Sequence, residues 1–353
     1  AQAYVSRGLA YVQKRETERA AQDFSRAIQI DPKFAVAYNE RGQIYRGQGE
    51  LSRAIADLDQ AIKLDGRFAD AWHNRGLAYV DRRDFDKAVA DLTQAAKLDG
   101  NNPTILHDRG LAYRERRDYD RAVADFDQAL KLDPKYVMSY VDRGIALRDR
   151  GDPDRAVRDF DQAIKIDPKF ANAFTERANT HATRGKFDLA LKDYDQAIRF
   201  NPNLDSVYNS RGMAYRNRGD LDKALADFDR AATLNPANAV ALNNRGLIHQ
   251  ARNDLDAAIA DFSQALKARP EYDVALNNRG LAYRAKGDAA RAIADFDLAV
   301  KNNPGFIVAL FNRGDSYEAV GEHDRAIRDL DQVLKSNPGY AAAYNTRGTA
   351  YLN

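Results

Sequence analysis

The dipeptide Arg-Gly recurs every 34 residues, and this strict register limits the possible folds more than any other feature of the chain. It stands at Arg7-Gly8, Arg41-Gly42, Arg75-Gly76, Arg109-Gly110 and Arg143-Gly144, and again at Arg211-Gly212, Arg245-Gly246, Arg279-Gly280, Arg313-Gly314 and Arg347-Gly348. The missing member keeps the phase as Arg177-Ala178. There is no insertion or deletion between copies. A fixed period of this length marks a stacked repeat architecture, in which each unit buries its apolar face against its neighbours. Positions can therefore be counted within ten repeats (1–34, 35–68, 69–102, 103–136, 137–170, 171–204, 205–238, 239–272, 273–306, 307–340), followed by a half-unit, 341–353.

The other columns describe two helices. Position 20 is Ala in every complete repeat, and position 27 is Ala in all but one, where Val333 stands. Position 24 is always large, as in Phe24, Leu58, Phe126 and Tyr194. Position 11 is mostly Tyr, and position 4 is aromatic or Leu, as in Tyr4, Tyr38, Trp72 and Leu106. Positions 4, 8 and 11 fall on one face of a first helix, and 20, 24 and 27 on one face of a second. Small residues at 8 and 20 let the two backbones cross closely. Gly at position 15 (Gly49, Gly151, Gly185, Gly219, Gly287, Gly321) marks the break between them, with an acid suited to a helix start after each except Gly185, which Lys186 follows. Pro at 32 closes the second helix in eight repeats, with Gly66 and Gly100 in the other two.

Tyr or Trp at 4, Gly at 8, Tyr at 11, Ala at 20, Phe at 24, Ala at 27 and Pro at 32 resemble the tetratricopeptide repeat (TPR) pattern across essentially the whole chain. The resemblance implies an all-α solenoid, a right-handed superhelix of ten hairpins capped by the helix 341–353, with the first helices lining its concave side. One departure stands out. The family usually has Leu at position 7, and this chain has Arg in all eleven copies.

That Arg column has a counterpart, because position 23 is Asp in all ten complete repeats. Across a turn centred near position 15, residues 7 and 23 lie opposite each other. The expectation is a bidentate, partly buried strut inside each hairpin, such as Arg41–Asp57, Arg109–Asp125, Arg143–Asp159 and Arg245–Asp261. Lys plus Arg number 54 against 52 Asp plus Glu, so the arginines are balanced and do not form a polyanion-binding stack.

A ligand is expected on the first helices, where positions 2, 5, 6, 9 and 13 lie opposite the 4-8-11 face and vary between repeats. Repeats two to six carry acids there, among them Glu40, Asp108, Asp142 and Glu176. Asparagine occupies position 5 as Asn39, Asn209, Asn243, Asn277 and Asn345, and position 6 as Asn74, Asn244, Asn278 and Asn312. An Asn amide both donates and accepts, so it can pair with a peptide backbone unit. The position-6 set resembles the asparagine ladder of the O-GlcNAc transferase branch of the family. At position 12, Arg46, Arg114, Arg148, Arg216 and Arg284 stand at the margin of the groove, available to acidic side chains of a partner or to neighbouring acids. Position 9 adds Leu77, Leu111, Ile145, Met213, Leu247 and Leu281. The carboxylate clamp of chaperone-binding TPRs is absent, since position 5 is never Lys and position 6 never Lys or Arg.

These readings predict a non-catalytic scaffold that holds an extended peptide of a partner protein in its groove, with no cofactor or metal. The chain has no Cys, no nucleophile elbow and no phosphate loop. His73 and His107 sit one repeat apart, too far to share a metal. The alternatives are an RNA-binding helical-repeat protein, a self-assembling scaffold whose ends meet, or a targeting module of a larger enzyme. Balanced charge argues against nucleic acid. No apolar run is long enough to span a membrane and no signal segment opens the chain, which favours a cytoplasmic location.

Overall fold

A computed structural model describes residues 1–353. The chain is all-α, with 21 helices and no strand. Its contacts divide into two compact units, Ala1–Thr180 and His181–Asn353. The first holds the hairpins α1 (Gln2–Gln13) with α2 (Thr17–Ile30), α3 (Ala35–Gly47) with α4 (Leu51–Leu64), α5 (Ala69–Asp81) with α6 (Phe85–Leu98), α7 (Pro103–Glu115) with α8 (Tyr119–Leu132), and α9 (Val137–Arg150) with α10 (Pro153–Ile166). The helix α11 (Ala171–Thr183) carries the boundary. The second unit holds α12 (Phe187–Phe200), then α13 (Asp205–Arg218) with α14 (Leu221–Leu234), α15 (Ala239–Ala251) with α16 (Leu255–Ala268), α17 (Asp273–Ala285) with α18 (Ala289–Asn302), α19 (Ile307–Ala319) with α20 (His323–Ser336), and finally α21 (Ala341–Leu352).

Each hairpin closes around the same interlock. The Ala residues at 20 and the large residues at 24 are fully buried, from Ala20 and Phe24 to Ala326 and Leu330. The glycine at 8 has a sharper purpose than backbone crossing. A Cβ added to Gly8 would lie 2.6 Å from Phe24 Cε1, and one on Gly144 would lie 2.6 Å from Phe160 Cε1. The ring edge of position 24 occupies the notch that a side chain would fill, so close packing of the two helices depends on the missing methyl.

The turn is set by conformation before composition. All ten residues at position 15 have positive φ: six are glycines, and the others are Arg15, Arg83, Arg117 and Asn253 at 61° to 63°. The left-handed residue ends the first helix, and the next residue starts the second. Asp84, Asp118, Asp152, Asp254 and Asp288 each accept from a backbone N–H three residues on, satisfying a donor that the helix itself leaves open.

Within each unit the first helices of successive repeats touch: α3 with α5, α5 with α7 and α7 with α9, then α13 with α15 and onward to α19 with α21. The second helices make no comparable contact with one another. First helices thus lie closer together than second helices, and each unit curves with its first helices inside.

Candidate functional site

The first helices are held by a repeated arginine fork. Arg41 Nε and an Nη donate to the two carboxylate oxygens of Asp57 at 2.7 and 2.8 Å. The same two bonds join Arg7 to Asp23, Arg75 to Asp91, Arg109 to Asp125, Arg143 to Asp159, Arg211 to Asp227, Arg245 to Asp261, Arg279 to Asp295 and Arg313 to Asp329. The hydrogen bond to Asp57 raises the Arg41 pKa further above its ordinary value. Burial raises the Asp159 carboxyl, with Arg143 opposing it, whereas at the open first repeat the bond from Arg7 lowers Asp23. The two carboxyls therefore shift in opposite directions, because the arginine hydrogen bond is the larger cause at Asp23 and burial the larger at Asp159.

The fork has a third prong that periodicity alone did not suggest. The remaining Nη of Arg143 donates to Asp127 of the preceding repeat at 2.5 Å, that of Arg245 to Asp229 at 2.9 Å and that of Arg279 to Ser263 at 3.0 Å. Arg41, Arg75, Arg177, Arg211, Arg313 and Arg347 do the same with position 25 of the repeat before. The guanidinium thus ties its own hairpin and also the junction to the previous one. The legible signal was position 25 itself, which is Asp, Ser or Thr in all ten repeats.

Position 5 departs from expectation. Asn39, Asn243 and Asn277 are only 1%, 3% and 4% exposed, because position 5 turns toward the next repeat and leaves only the edge of its amide on the groove. Each meets the position-6 residue of that repeat. Asn74 Nδ2 donates to Asn39 Oδ1 at 3.0 Å, Asn244 to Asn209 at 3.0 Å, Asn278 to Asn243 at 2.9 Å and Asn312 to Asn277 at 2.8 Å. The asparagines expected to form a free ladder are first of all latches between repeats. On a helix, residue 5 shares its side with 1, 8 and 12, and this explains the shift. Asn345 in α21 is exposed.

Position 12 shares that side and behaves accordingly. Arg114 reaches Asp142 at 2.5 Å, Arg148 reaches Glu176 at 2.6 Å, Arg46 reaches Asp81 at 2.6 Å and Arg284 reaches Asp315 at 2.7 Å. Four of the five arginines read as groove cations are therefore neutralised by an acid of the next repeat. Arg216 differs: its only acceptor is the neutral Asn244 Oδ1, at 3.5 Å.

Two of these latches leave both a donor and an acceptor to spare. Asn278 Oδ1, Asn312 Oδ1, Asn243 Nδ2 and Asn277 Nδ2 have no protein hydrogen bond, and none of them is sealed from water. Along the same inner face, Met213, Val274 and Val308 are exposed and Leu247 and Leu281 half-buried. Positions 2 and 9 thus present an apolar strip, with an amide acceptor at position 6 and the spare N–H of position 5 repeated along it.

Models of the tetratricopeptide repeat match residues 107–171, 141–205, 243–305 and 311–353, with further matches over 8–49, 42–82, 69–102 and 206–238. The chain belongs to the tetratricopeptide-repeat family. No curated protein matches this TPR protein in sequence. Among solved structures, it is similar to the Cut9–Hcn1 hetero-tetramer of the APC/C (TM-score 0.54, 16% identity, covering 97% of this chain and 95% of the other). It is also similar to a tetratricopeptide repeat protein of Parabacteroides merdae (TM-score 0.53, 19% identity, 70% and 98% covered) and to pilF of Pseudomonas aeruginosa (TM-score 0.55, 19% identity, 60% and 96% covered). At these identities the likeness is one of fold. As a TPR protein the chain is a protein-interaction scaffold, and no helix is long and apolar enough to cross a membrane.

Proposed function

We propose that this TPR protein binds an extended peptide segment of a partner along the inner face of α13, α15, α17 and α19. The observation that carries the proposal is the set of spare amide atoms: Asn243 and Asn277 each offer an N–H, and Asn278 and Asn312 each a carbonyl oxygen. An extended peptide offers C=O and N–H groups in alternation, so such a ladder pairs with backbone and leaves side chains to the apolar strip. Met213, Val274 and Val308 receive apolar side chains, and Arg216 receives a carboxylate, having no acid of its own. The corresponding arginines of the first unit, Arg46, Arg114 and Arg148, are already engaged by acids and contribute little to such a ligand.

A displayed library of unstructured peptides, selected on the full chain, tests this reading. Binders should combine apolar residues with Asp or Glu. They should lose about tenfold or more in affinity on a variant carrying Val274→Glu, Val308→Glu and Arg216→Glu, whose altered side chains lie outside the hairpin core. Binders that hold the variant as tightly as the wild type would place the ligand elsewhere.

A further inference from the structure

Four of the eleven residues at position 6 are acids, and Glu40 alone among them has no basic partner. Asp142 and Glu176 are met by Arg114 and Arg148 from position 12 of the preceding repeat, and Asp108 is met by His73. Where those arginines stand, the first repeat has Val12. The contacts of Glu40 are to neutral amides, Asn39 at 2.9 Å and Gln43 at 3.5 Å, both through Oε1. Burial raises its carboxyl above the ordinary carboxylate value, the bond from Asn39 opposes that shift, and the charge of Asp70 adds to it.

Glu40 also fixes the polarity of the latch beside it. A carboxylate only accepts, so Asn39 gives it an N–H and turns Oδ1 toward Asn74, whose Nδ2 donates at 3.0 Å. That leaves Asn74 Oδ1 with no protein hydrogen bond, on a side chain only 8% exposed, and the atom is not sealed from water. Asp70 stands one turn earlier on α5 and has neither a hydrogen bond nor an ion pair. Arg46, the counterpart of the Arg216 that reaches Asn244 Oδ1, turns to Asp81 instead. The α3–α5 junction thus presents acceptors without a donor: Glu40 Oε2, the Asp70 carboxylate and Asn74 Oδ1. Val36 and Leu77, half-buried, lie about one turn from Glu40 and Asn74 on the same faces. Complete hairpins precede α3 and follow α6, so this junction lies within the stack of the first unit.

We propose that the α3–α5 junction is a second binding site, specific for a lysine or arginine side chain of a partner peptide. Both side chains carry several N–H donors and no acceptor, which answers a set of acceptors that no donor of the chain satisfies. Their methylene stems pack on Val36 and Leu77 while the charged head meets the oxygens. The site favours the opposite charge to the strip on the second unit, where Arg216 takes a carboxylate. It uses only residues of the first unit, so either site can fail without the other.

The test is a displayed library of unstructured peptides, selected on the full chain and depleted on its Glu40→Gln, Asp70→Asn variant. Peptides held by the second unit bind both proteins alike and are removed by the depletion. The Glu40→Gln side chain keeps an oxygen for Asn39, so the latch survives, and an unchanged helical circular dichroism signal confirms the fold. The remaining peptides should carry Lys or Arg and bind the variant about tenfold or more weakly. They should lose as much on the wild type when that residue becomes norleucine or citrulline. Val12→Arg, which supplies the arginine of later repeats, should block them equally while the chain stays folded. A depletion that leaves no peptide preferring the wild type would overturn the proposal, as would preferring peptides that lack Lys and Arg or that ignore Val12→Arg.

Discussion

The two compact units join their repeats at the same place with different chemistry. In the second unit the junctions between positions 5 and 6 are amide pairs, Asn209–Asn244, Asn243–Asn278 and Asn277–Asn312. In the first unit only Asn39–Asn74 is of that kind. The next two junctions use histidine: His73 Nε2 lies 2.6 Å from Asp108, and His107 Nδ1 lies 2.9 Å from Ser139 Oγ with its Nε2 3.6 Å from Asp142. An amide pair is indifferent to pH and leaves atoms over for a ligand. The His107 junction titrates, because burial holds its imidazole pKa below the ordinary value, and the acids of this region are taken up internally. One geometric slot therefore supports a ligand-facing strip in one region and a pH-responsive joint in the other.

The struts are common to both regions, so cutting them should not distinguish the units. Asp159→Ala in the first and Asp261→Ala in the second each remove two of the three hydrogen bonds of a partly buried guanidinium and leave it the carboxylate of the preceding repeat. Each should cost about 1–3 kcal/mol of local stability, read as lost hydrogen-exchange protection in the affected hairpin and its neighbours. Equal losses would confirm that the Arg fork belongs to the scaffold. A loss confined to one unit would break the comparison at its common element. The loss should also extend one repeat back, since Arg245 holds Asp229 as well as Asp261.

The next largest effect separates the units. His107 is buried among Phe126, Tyr136 and Ser139, with Asp108, Asp142 and Arg114 facing it, and burial lowers its pKa below the ordinary 6.5 in spite of the two acids. A histidine with a lowered folded pKa stabilises above its unfolded pKa and loses that contribution as pH falls through the folded value. Asp142 works the other way: burial raises its carboxyl above the usual 3.8, so its protonation at still lower pH relieves a cost. Between pH 7.5 and 5.5, exchange protection in α7 and α9 should fall while that in α17, which carries no histidine, stays constant. His107→Asn should flatten the response of the first unit, at a cost of about 1–2 kcal/mol at neutral pH for an imperfectly satisfied buried site. Parallel loss in both units would show that the junction histidine does not govern it.

Sequence reasoning reached the scaffold and stopped short of the face. The 34-residue period, the close crossing at Gly8 and Ala20 and the Arg7–Asp23 opposition follow from helical spacing across one turn, so a single hairpin contained the information, although the entry of the Phe24 ring into the Gly8 notch did not show in it. The latches and the third prong of the fork involve two hairpins. Their geometry depends on the rotation between repeats, which no periodicity prints. Position 5 shows the limit well. At 100° per residue it lies between the core face of 4 and 8 and the groove face of 2, 6 and 9, and only the neighbouring repeat decides that Asn243 and Asn277 turn inward. Arg216 could have been singled out in advance, since position 6 of the following repeat is Asn244 where Arg114 and Arg148 face Asp142 and Glu176.

The smallest difference between the units lies in their turns. Three of the four non-glycine residues with positive φ are arginines of the first unit, Arg15, Arg83 and Arg117, and the fourth is Asn253 of the second. A left-handed backbone costs an L-residue with a long side chain about 1–2 kcal/mol, while Asn reduces that cost through local hydrogen bonding. Replacement by glycine removes the steric term but increases the entropy lost on folding, so the net gain is smaller than the strain itself. Arg117→Gly should therefore stabilise its hairpin by about 0.5–1 kcal/mol and Asn253→Gly by at most a few tenths, both measured by denaturant titration followed at α8 and α16. Arg117 hydrogen-bonds through its backbone to Arg114, and that bond does not depend on the side chain, so the substitution isolates conformation from contact. Equal gains at both sites would mean that the arginine turns store no more strain than the asparagine turn, and the first unit would lose its claim to the tighter joints.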